Sequence, residues 1–174
     1  GPSGSGKSTL ANIIAGIYLP TRGRVNYLDK NNNKYDSKIY QPNIGYVTQN
    51  VHMFRGKIRD FLSQDKKLDD DKIISVLKSV DVYDFIQSIG GINAKIDESG
   101  RSFSGGQVRR LGIARVLLAE SNIIIFDEPT SGLDDRNKKS LFETLNIISN
   151  DYIVIIISHE KIQLNRSIEI KLKD

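Results

Sequence analysis

The chain has 174 residues with no cysteine, no tryptophan, a single methionine, four prolines and only two histidines. Without cysteine it holds neither a disulfide nor a thiolate metal site, and with His52 and His159 as the only imidazoles a structural zinc is implausible. Long hydrophobic runs are missing too. The longest, such as residues 153–157, fall far short of the roughly 18 to 20 residues that cross a bilayer, and no charged-then-apolar leader opens the chain. A dominant charge is also lacking: 25 Lys and Arg against 21 Asp and Glu leave +4, spread along the chain, so no basic stripe calls for nucleic acid. There is no internal repeat, no heptad pattern and no low-complexity tract beyond Asn31 to Asn33. The length fits one domain with room for a subdomain.

What is present starts at the first residue. Residues 1–9 read GPSGSGKST, a complete G-x-x-x-x-G-K-[ST] phosphate-binding loop. Gly4 and Gly6 permit backbone angles that turn successive N–H groups toward a phosphate. Lys7 reaches the β- and γ-phosphates, and the Ser8 hydroxyl ligates Mg²⁺. The start of the following helix adds to the attraction for anions. That helix is legible in Leu10, Ile13, Ile14 and Ile17, spaced as one apolar face and stopped by Pro20 to Gly23. Magnesium arriving with a nucleotide is therefore the expected metal. A phosphate loop normally hangs from a buried strand; neither that strand nor a starting methionine precedes Gly1, so an N-terminally incomplete record is expected.

Further along, residues 24–28 and 38–40 read as short strands around the polar tip 29–34, a β-rich flap, and Pro42-Asn43 turns the chain into a strand at 44–48. From 50 to about 91 helical spacing takes over. Asp69, Asp70 and Asp71 suit a helix N-terminus, and Ile73, Ile74, Leu77 and Val80 follow at helical intervals, which predicts a helical subdomain. Gly90-Gly91 breaks the pattern. An irregular stretch runs to Phe103, and Ser104 can cap a helix carrying Val108, Leu111, Arg115 and Leu118. Strands at 122–126, 152–158 and 167–172 and a helix over about 135–149 complete the chain. Apolar β-branched strands alternating with amphipathic helices predict an α/β fold, a mostly parallel sheet covered by helices, with a small antiparallel flap and an inserted helical subdomain.

Two later segments carry chemistry. The apolar strand Ile123-Ile124-Ile125-Phe126 ends in Asp127-Glu128, which puts two carboxylates at the sheet edge where a phosphate loop should lie. Asp127 is suited to anchoring Mg²⁺, directly or through water, and Glu128 to polarising a water that attacks a γ-phosphate. In isolation, two acids closing a strand are common in solvated turns. Phe103-Ser104-Gly105-Gly106-Gln107 opens a helix on a serine and two glycines, whose bare N–H groups can take a phosphate as the first loop does. Alone, Ser-Gly-Gly is usually a flexible turn.

With these three motifs in this order, the chain resembles the nucleotide-binding domain of ATP-binding cassette (ABC) proteins over nearly its whole length. The resemblance implies a P-loop NTPase. Gly1, Pro2, Ser3, Gly4, Ser5, Gly6, Lys7, Ser8 and Thr9 match the Walker A loop that wraps ATP. FSGGQ, with Ser104, Gly105, Gly106 and Gln107, is similar to the signature usually written LSGGQ, and IIIFDEPT matches the Walker B strand with Asp127 and the catalytic Glu128. Gln49 matches the Q-loop glutamine that touches Mg²⁺ and the attacking water. Ser131 to Asp134 matches the D-loop that crosses to the other subunit, and His159 the switch histidine that contacts the γ-phosphate. Read without this context, His159 is an ordinary strand-end residue and Gln49 a surface amide. The implied catalytic set is Glu128, His159 and Gln49, and the implied metal set is Ser8, Gln49 and Asp127. Residues 1–49 and 105–174 are expected to form a RecA-like core with the β flap, and about 50–104 the helical subdomain leading into the signature helix.

The same resemblance implies a working cycle. Two such domains, in a homo- or heterodimer, pair head to tail, so that ATP lies between the Walker A loop of one and the Ser104 helix of the other. Residues 51–60 resemble the stretch after the Q-loop in exporters. Asp97-Glu98-Ser99-Gly100 is similar to the exporter segment G-E-x-G, with Asp97 where glycine is usual. An exporter is therefore expected, with a transmembrane domain upstream on the same chain, the cassette at the cytoplasmic face of the membrane, and no nucleic-acid partner. The alternative is a soluble cassette ATPase acting on DNA or ribosomes. Against it, no long coiled coil separates Gln49 from Ser104 and no second cassette fits in this length. Residues 1–174 alone are expected to bind nucleotide weakly and to be weak or inactive in hydrolysis.

Overall fold

β-branched, apolar runs that can be buried on both faces belong in a parallel sheet, and here they build one. The computed structural model describes residues 4–64, 66–96, 103–162, 164–165 and 167–172. In chain order the elements are α1 (Lys7–Ile14), β1 (Asn26–Leu28), β2 (Lys34–Asp36), β3 (Ile44–Val47), β4 (Gly56–Lys57), α2 (Ile58–Ser63), α3 (Asp70–Ser79) and α4 (Tyr83–Ser88). A 3-10 turn (Gly91–Asn93) follows, then β5 (Lys95–Ile96), α5 (Gly105–Leu118), β6 (Ile123–Asp127), α6 (Asp135–Ile148) and β7 (Ile153–Ile157). The parallel sheet has the order β3-β6-β7, with Ile44 opposite Ile123 and Asp127 opposite Ile157.

Strand alternation decides which helix covers which face. Ile123 and Ile125 pack with Ala11 of α1, Tyr27, Tyr46 and Ile157. Ile124 and Phe126 belong to the larger core, with Leu111 and Ala114 of α5, Leu141 and Leu145 of α6, and Phe61, Leu77 and Ile86 from α2, α3 and α4. So α1 and α5 lie on opposite faces of the sheet. On the α5 side the approach is close enough to demand glycine: a Cβ on Gly45 would stand 2.0 Å from Val116 Cγ1, and one on Gly112 would stand 2.8 Å from Val51 Cγ2. Helix α5 is consequently buried around most of its circumference.

The α/β class, the parallel sheet, the antiparallel flap and the helices between 50 and 91 agree with the sequence reading, and Asp69 accepts from Asp71 N–H as the N-cap of α3. Four details differ. In α1 the buried residue is Ala11, with Ile14 and Ala15 beside it, whereas Leu10 is exposed and the helix stops before Ile17, which is also exposed. Gly16, at φ 73, terminates it too early for the i+7 position to join the face. Residues 38–40 form a turn, not a strand: Asp36 Oδ1 accepts from Lys38 N–H, and its carbonyl accepts from the N–H groups of Ile39 and Tyr40. The flap ladder is instead β1 against β2, with Tyr27 opposite Tyr35. Residues 167–172 form no strand, and Ile168 and Ile170 are exposed; alternation without a neighbouring strand leaves nothing to pair with. Finally, the mainly helical stretch carries a two-residue antiparallel ladder, β4 with β5.

Candidate functional site

Gly4 and Gly6 sit at φ 86 and 83, the left-handed region that glycine adopts freely. A Cβ on either would meet nothing within 4 Å, so backbone angle and not crowding fixes glycine there. Gly6 is the N-cap of α1 and supplies no side-chain cap, which leaves the helix start without an oxygen of its own. Ser8 and Thr9 are exposed in the first turn. Gly1, Pro2 and Ser3 lie outside the described residues, as do Asp97 to Gly100.

Asp127 closes β6 on the strand face that carries Ile123 and Ile125, the face covered by α1. Its Oδ2 accepts from the Tyr46 hydroxyl at 3.3 Å. Burial first, and the neighbouring Asp127 charge second, push the Tyr46 hydroxyl up to about 12, so it is a neutral donor throughout the physiological range. Glu128 takes the next step of the chain at φ 48, a conformation costly for a side chain with a Cβ. Its N–H donates to Ile157 carbonyl at 2.9 Å, and its carbonyl accepts from Ser131 N–H at 3.1 Å. The carboxylate Oε2 is buried 2.9 Å from His159 Nδ1, close enough for an ion pair if the imidazole is protonated, yet among the described residues no donor is aligned on it. The two groups are close without a formed hydrogen bond, and catalytic contacts commonly align only with substrate bound.

Gln49, two residues past β3, donates from Nε2 to Ser131 Oγ at 3.0 Å, which links it to the loop after Glu128. Ser104 and Gln107 close a reciprocal capping box: Gln107 N–H donates to Ser104 Oγ at 3.3 Å and Ser104 N–H to Gln107 Oε1 at 2.8 Å. Asp134 caps α6, accepting from Asn137 N–H and Asn137 Nδ2, each at 2.8 Å, and these bonds hold its carboxyl below the usual range. Asn137 also faces the signature turn, since a Cβ on Gly106 would lie 3.6 Å from its Oδ1.

The geometry therefore joins Gln49, Glu128 and His159 around the 128–132 loop. Gly105, Gly106 and Asp134 form a second group, and the 4–9 loop begins the helix on the opposite sheet face. Serine hydroxyl, aspartate carboxylate and glutamine amide oxygens from Ser8, Asp127 and Gln49 are hard donors that suit Mg²⁺, which binds through one or two carboxylates plus substrate phosphates. Among the described residues no group of three or more His, Cys, Asp or Glu is placed to hold a metal ion. Two site residues escaped the sequence reading. Tyr46 lies within the predicted strand at 44–48 and Arg109 within the helix after Ser104, and neither is singled out there. The clue to the second was an Arg-Arg pair in a helix otherwise rich in apolar residues.

A family model described as ABC transporter matches residues 1–131. The chain is 35% identical over its whole length to the ATP-dependent lipid A-core flippase of Haemophilus influenzae, of which it spans 30%. It is 38% identical, over 91% of its length, to the lactococcin-G-processing and transport ATP-binding protein LagD of Lactococcus lactis, of which it spans 23%. It spans 27% of the related flippase of Francisella novicida, at 32% identity over 91% of the chain. Among solved structures it is similar to a bacterial Atm1-family ABC exporter with ATP bound, at 27% identity and a TM-score of 0.75 over 91% of this chain and 28% of that one.

Proposed function

This chain belongs to the ABC transporter family as an exporter-type ATPase domain, and from that premise we propose that it clamps ATP between two copies or partners and hydrolyses it to drive export across a membrane. The observation that carries this reading is the buried Glu128 Oε2, 2.9 Å from His159 at the sheet edge and without an aligned donor. A carboxylate so placed can take a proton from water. In the reaction, the water oxygen bonds to the γ-phosphorus, the bond to the β-phosphate bridging oxygen breaks with its electron pair leaving on ADP, and Glu128 receives the water proton. His159 steadies Glu128 and the γ-phosphate, and Gln49 orients the water from the 128–132 loop. Lys7 and the N–H groups after Gly4 and Gly6 neutralise the phosphates. Mg²⁺ held by Ser8, Gln49 and Asp127 would draw charge from the phosphate oxygens.

The clamp between copies is supported by the opposite-face placement of α1 and α5: the Ser104 turn of one chain is free to complete the phosphate site of another. Gly105, Gly106 and Asp134 would meet the nucleotide and the partner domain from that side. Residues 1–49 with 105–174 are read as the nucleotide-binding core, and about 50–104 as the helical subdomain. Between β3 and α5 an open groove of about 410 Å³, lined by Tyr46, His52, Gln64, Gly112 and Arg115, suits an inserted element of a transmembrane domain. Beside it, Phe54 is exposed, its ring tilted against that of Phe61 with the centroids 5.5 Å apart. The domain would thus work at the cytoplasmic side of the membrane. Among the described residues no helix is long and apolar enough to cross it. The flippase and transport relatives favour this reading over action on DNA or ribosomes. Glu128→Gln in the full-length protein tests it: hydrolysis should fall about a hundredfold or more, while ATP binding persists and a closed dimer accumulates. Unimpaired turnover would remove Glu128 from its role.

A further inference from the structure

Two adjacent arginines on α5 are both buried, yet they serve different neighbours. Arg110 Nη1 donates to Val80 carbonyl at 2.7 Å, and its Nη2 to Ser140 Oγ at 2.8 Å with Asp81 3.5 Å away, so it fastens α5 to the end of α3 and to the middle of α6. Arg109 turns the other way. Its Nη1 donates to the Pro129 carbonyl and, at 3.2 Å, to the Ser131 carbonyl; its Nη2 donates to the Ser131 and Gln49 carbonyls, both at 3.2 Å. Among the described residues Arg109 makes no ion pair, and burial lowers the affinity of its guanidinium for its proton. A buried cation without a carboxylate is expensive, and it is kept here by main-chain oxygens alone.

Those oxygens belong to two loops of the reaction site. Pro129 directly follows Glu128, which holds the left-handed conformation, and Ser131 is the residue whose hydroxyl accepts from Gln49 Nε2. One planar guanidinium thereby ties the backbone after the water-activating acid to the backbone of the Gln49 loop, from a helix that starts at the Ser104 turn. We propose that Arg109 is a positioning residue for ATP hydrolysis: it fixes the aim of Glu128 and Gln49 and makes both follow the signature helix when that helix engages nucleotide on a partner. The proposal rests on the assignment of Glu128 as the water-activating group. Lysine cannot replace arginine here, because a compact ammonium cannot hold a fork of carbonyls from two loops at once.

The test compares Arg109→Lys with Arg110→Lys in the full-length transporter, measuring ATPase kcat, KM for ATP and thermal stability, with Glu128→Gln as reference. Misaim without loss of binding predicts that Arg109→Lys lowers kcat by about tenfold to a hundredfold and leaves KM within about twofold. Arg110→Lys should lose comparable stability and keep kcat. Should Arg109→Lys fail to fold, Arg109→Gln, which can still donate to one carbonyl, carries the same comparison. Equal kcat in the two lysine variants would overturn the proposal, as would failure of both Arg109 variants to fold while Arg110→Lys folds. A Glu128→Gln protein that hydrolyses normally would instead overturn the functional reading on which the proposal stands.

Discussion

The two helices that begin on glycine differ in what holds their first N–H groups. Helix α1 starts from Gly6 in a left-handed turn without a side-chain cap, buries only Ala11, and exposes Ser8 and Thr9. Helix α5 starts from Ser104, whose hydroxyl and N–H are both taken by Gln107, and is then packed on nearly all sides. Similar composition thus serves two purposes. The first opens without a side-chain cap and is lightly packed; the second is capped and held against β3 through Gly45 and against Val51 of the following loop through Gly112. A triphosphate held between copies would be gripped mainly by the uncapped loop, with the capped turn as a rigid lid that leaves Gly105 and Gly106 to approach it.

The strongest way to break this contrast is at Gly6. Gly6→Ala imposes a Cβ on a left-handed residue at a cost of about 1–2 kcal/mol, so ATP affinity should fall by roughly five- to thirtyfold. Gly105→Ala, with open space around it and a helical backbone, should leave single-chain nucleotide binding unchanged. Calorimetric titration of the pair checks both, and equal losses would erase the distinction. A smaller effect is expected at the other helix start. Ser104→Ala removes the cap at a cost of about 1 kcal/mol and should lower Tm by roughly 2–4 °C. Affinity of one chain for ATP should stay constant; a loss there would mean that the serine reaches the nucleotide bound to its own chain.

The smallest effect concerns Tyr46, on the α1 side of the sheet. Its folded pKa of about 12 lies above the ordinary 10 of an unfolded tyrosine. Folding is therefore favoured by the neutral phenol below pH 10, and that contribution is lost as pH rises through about 12. Tyr46→Phe should flatten the fall of Tm between these pH values while changing stability near neutrality by about 1 kcal/mol or less. An unaltered slope would show that another group titrates there.

Much of this was legible in the residues themselves. The left-handed turns at Gly4 and Gly6 and the two carboxylates at the end of β6 were readable from the loop and strand patterns, and they support the proposed phosphate chemistry. The Ser104 cap was read directly, whereas Gln107 was not named as its partner, although the spacing is that of a capping box. What the sequence concealed depends on packing between distant segments. The arginines of α5 gave no warning that one would reach the carbonyl of Gln49, sixty residues away in the chain. Leu10 and Ile17 had the right spacing but no partner, since Gly16 ends α1 first. The alternating residues after 166 lacked a neighbouring strand, and pattern alone cannot supply one.

With the two glycine-opened helix starts on opposite faces of the sheet, the proposed clamp joins them through nucleotide only between copies. Thr9→Cys with Gly105→Cys, in a full-length background otherwise free of cysteine and carrying Glu128→Gln, tests it with a short thiol-to-thiol cross-linker. A cross-linked dimer should form when ATP and Mg²⁺ are present and be lost without them. A monomer looped through its own two cysteines, at the same yield with or without ATP, would contradict it.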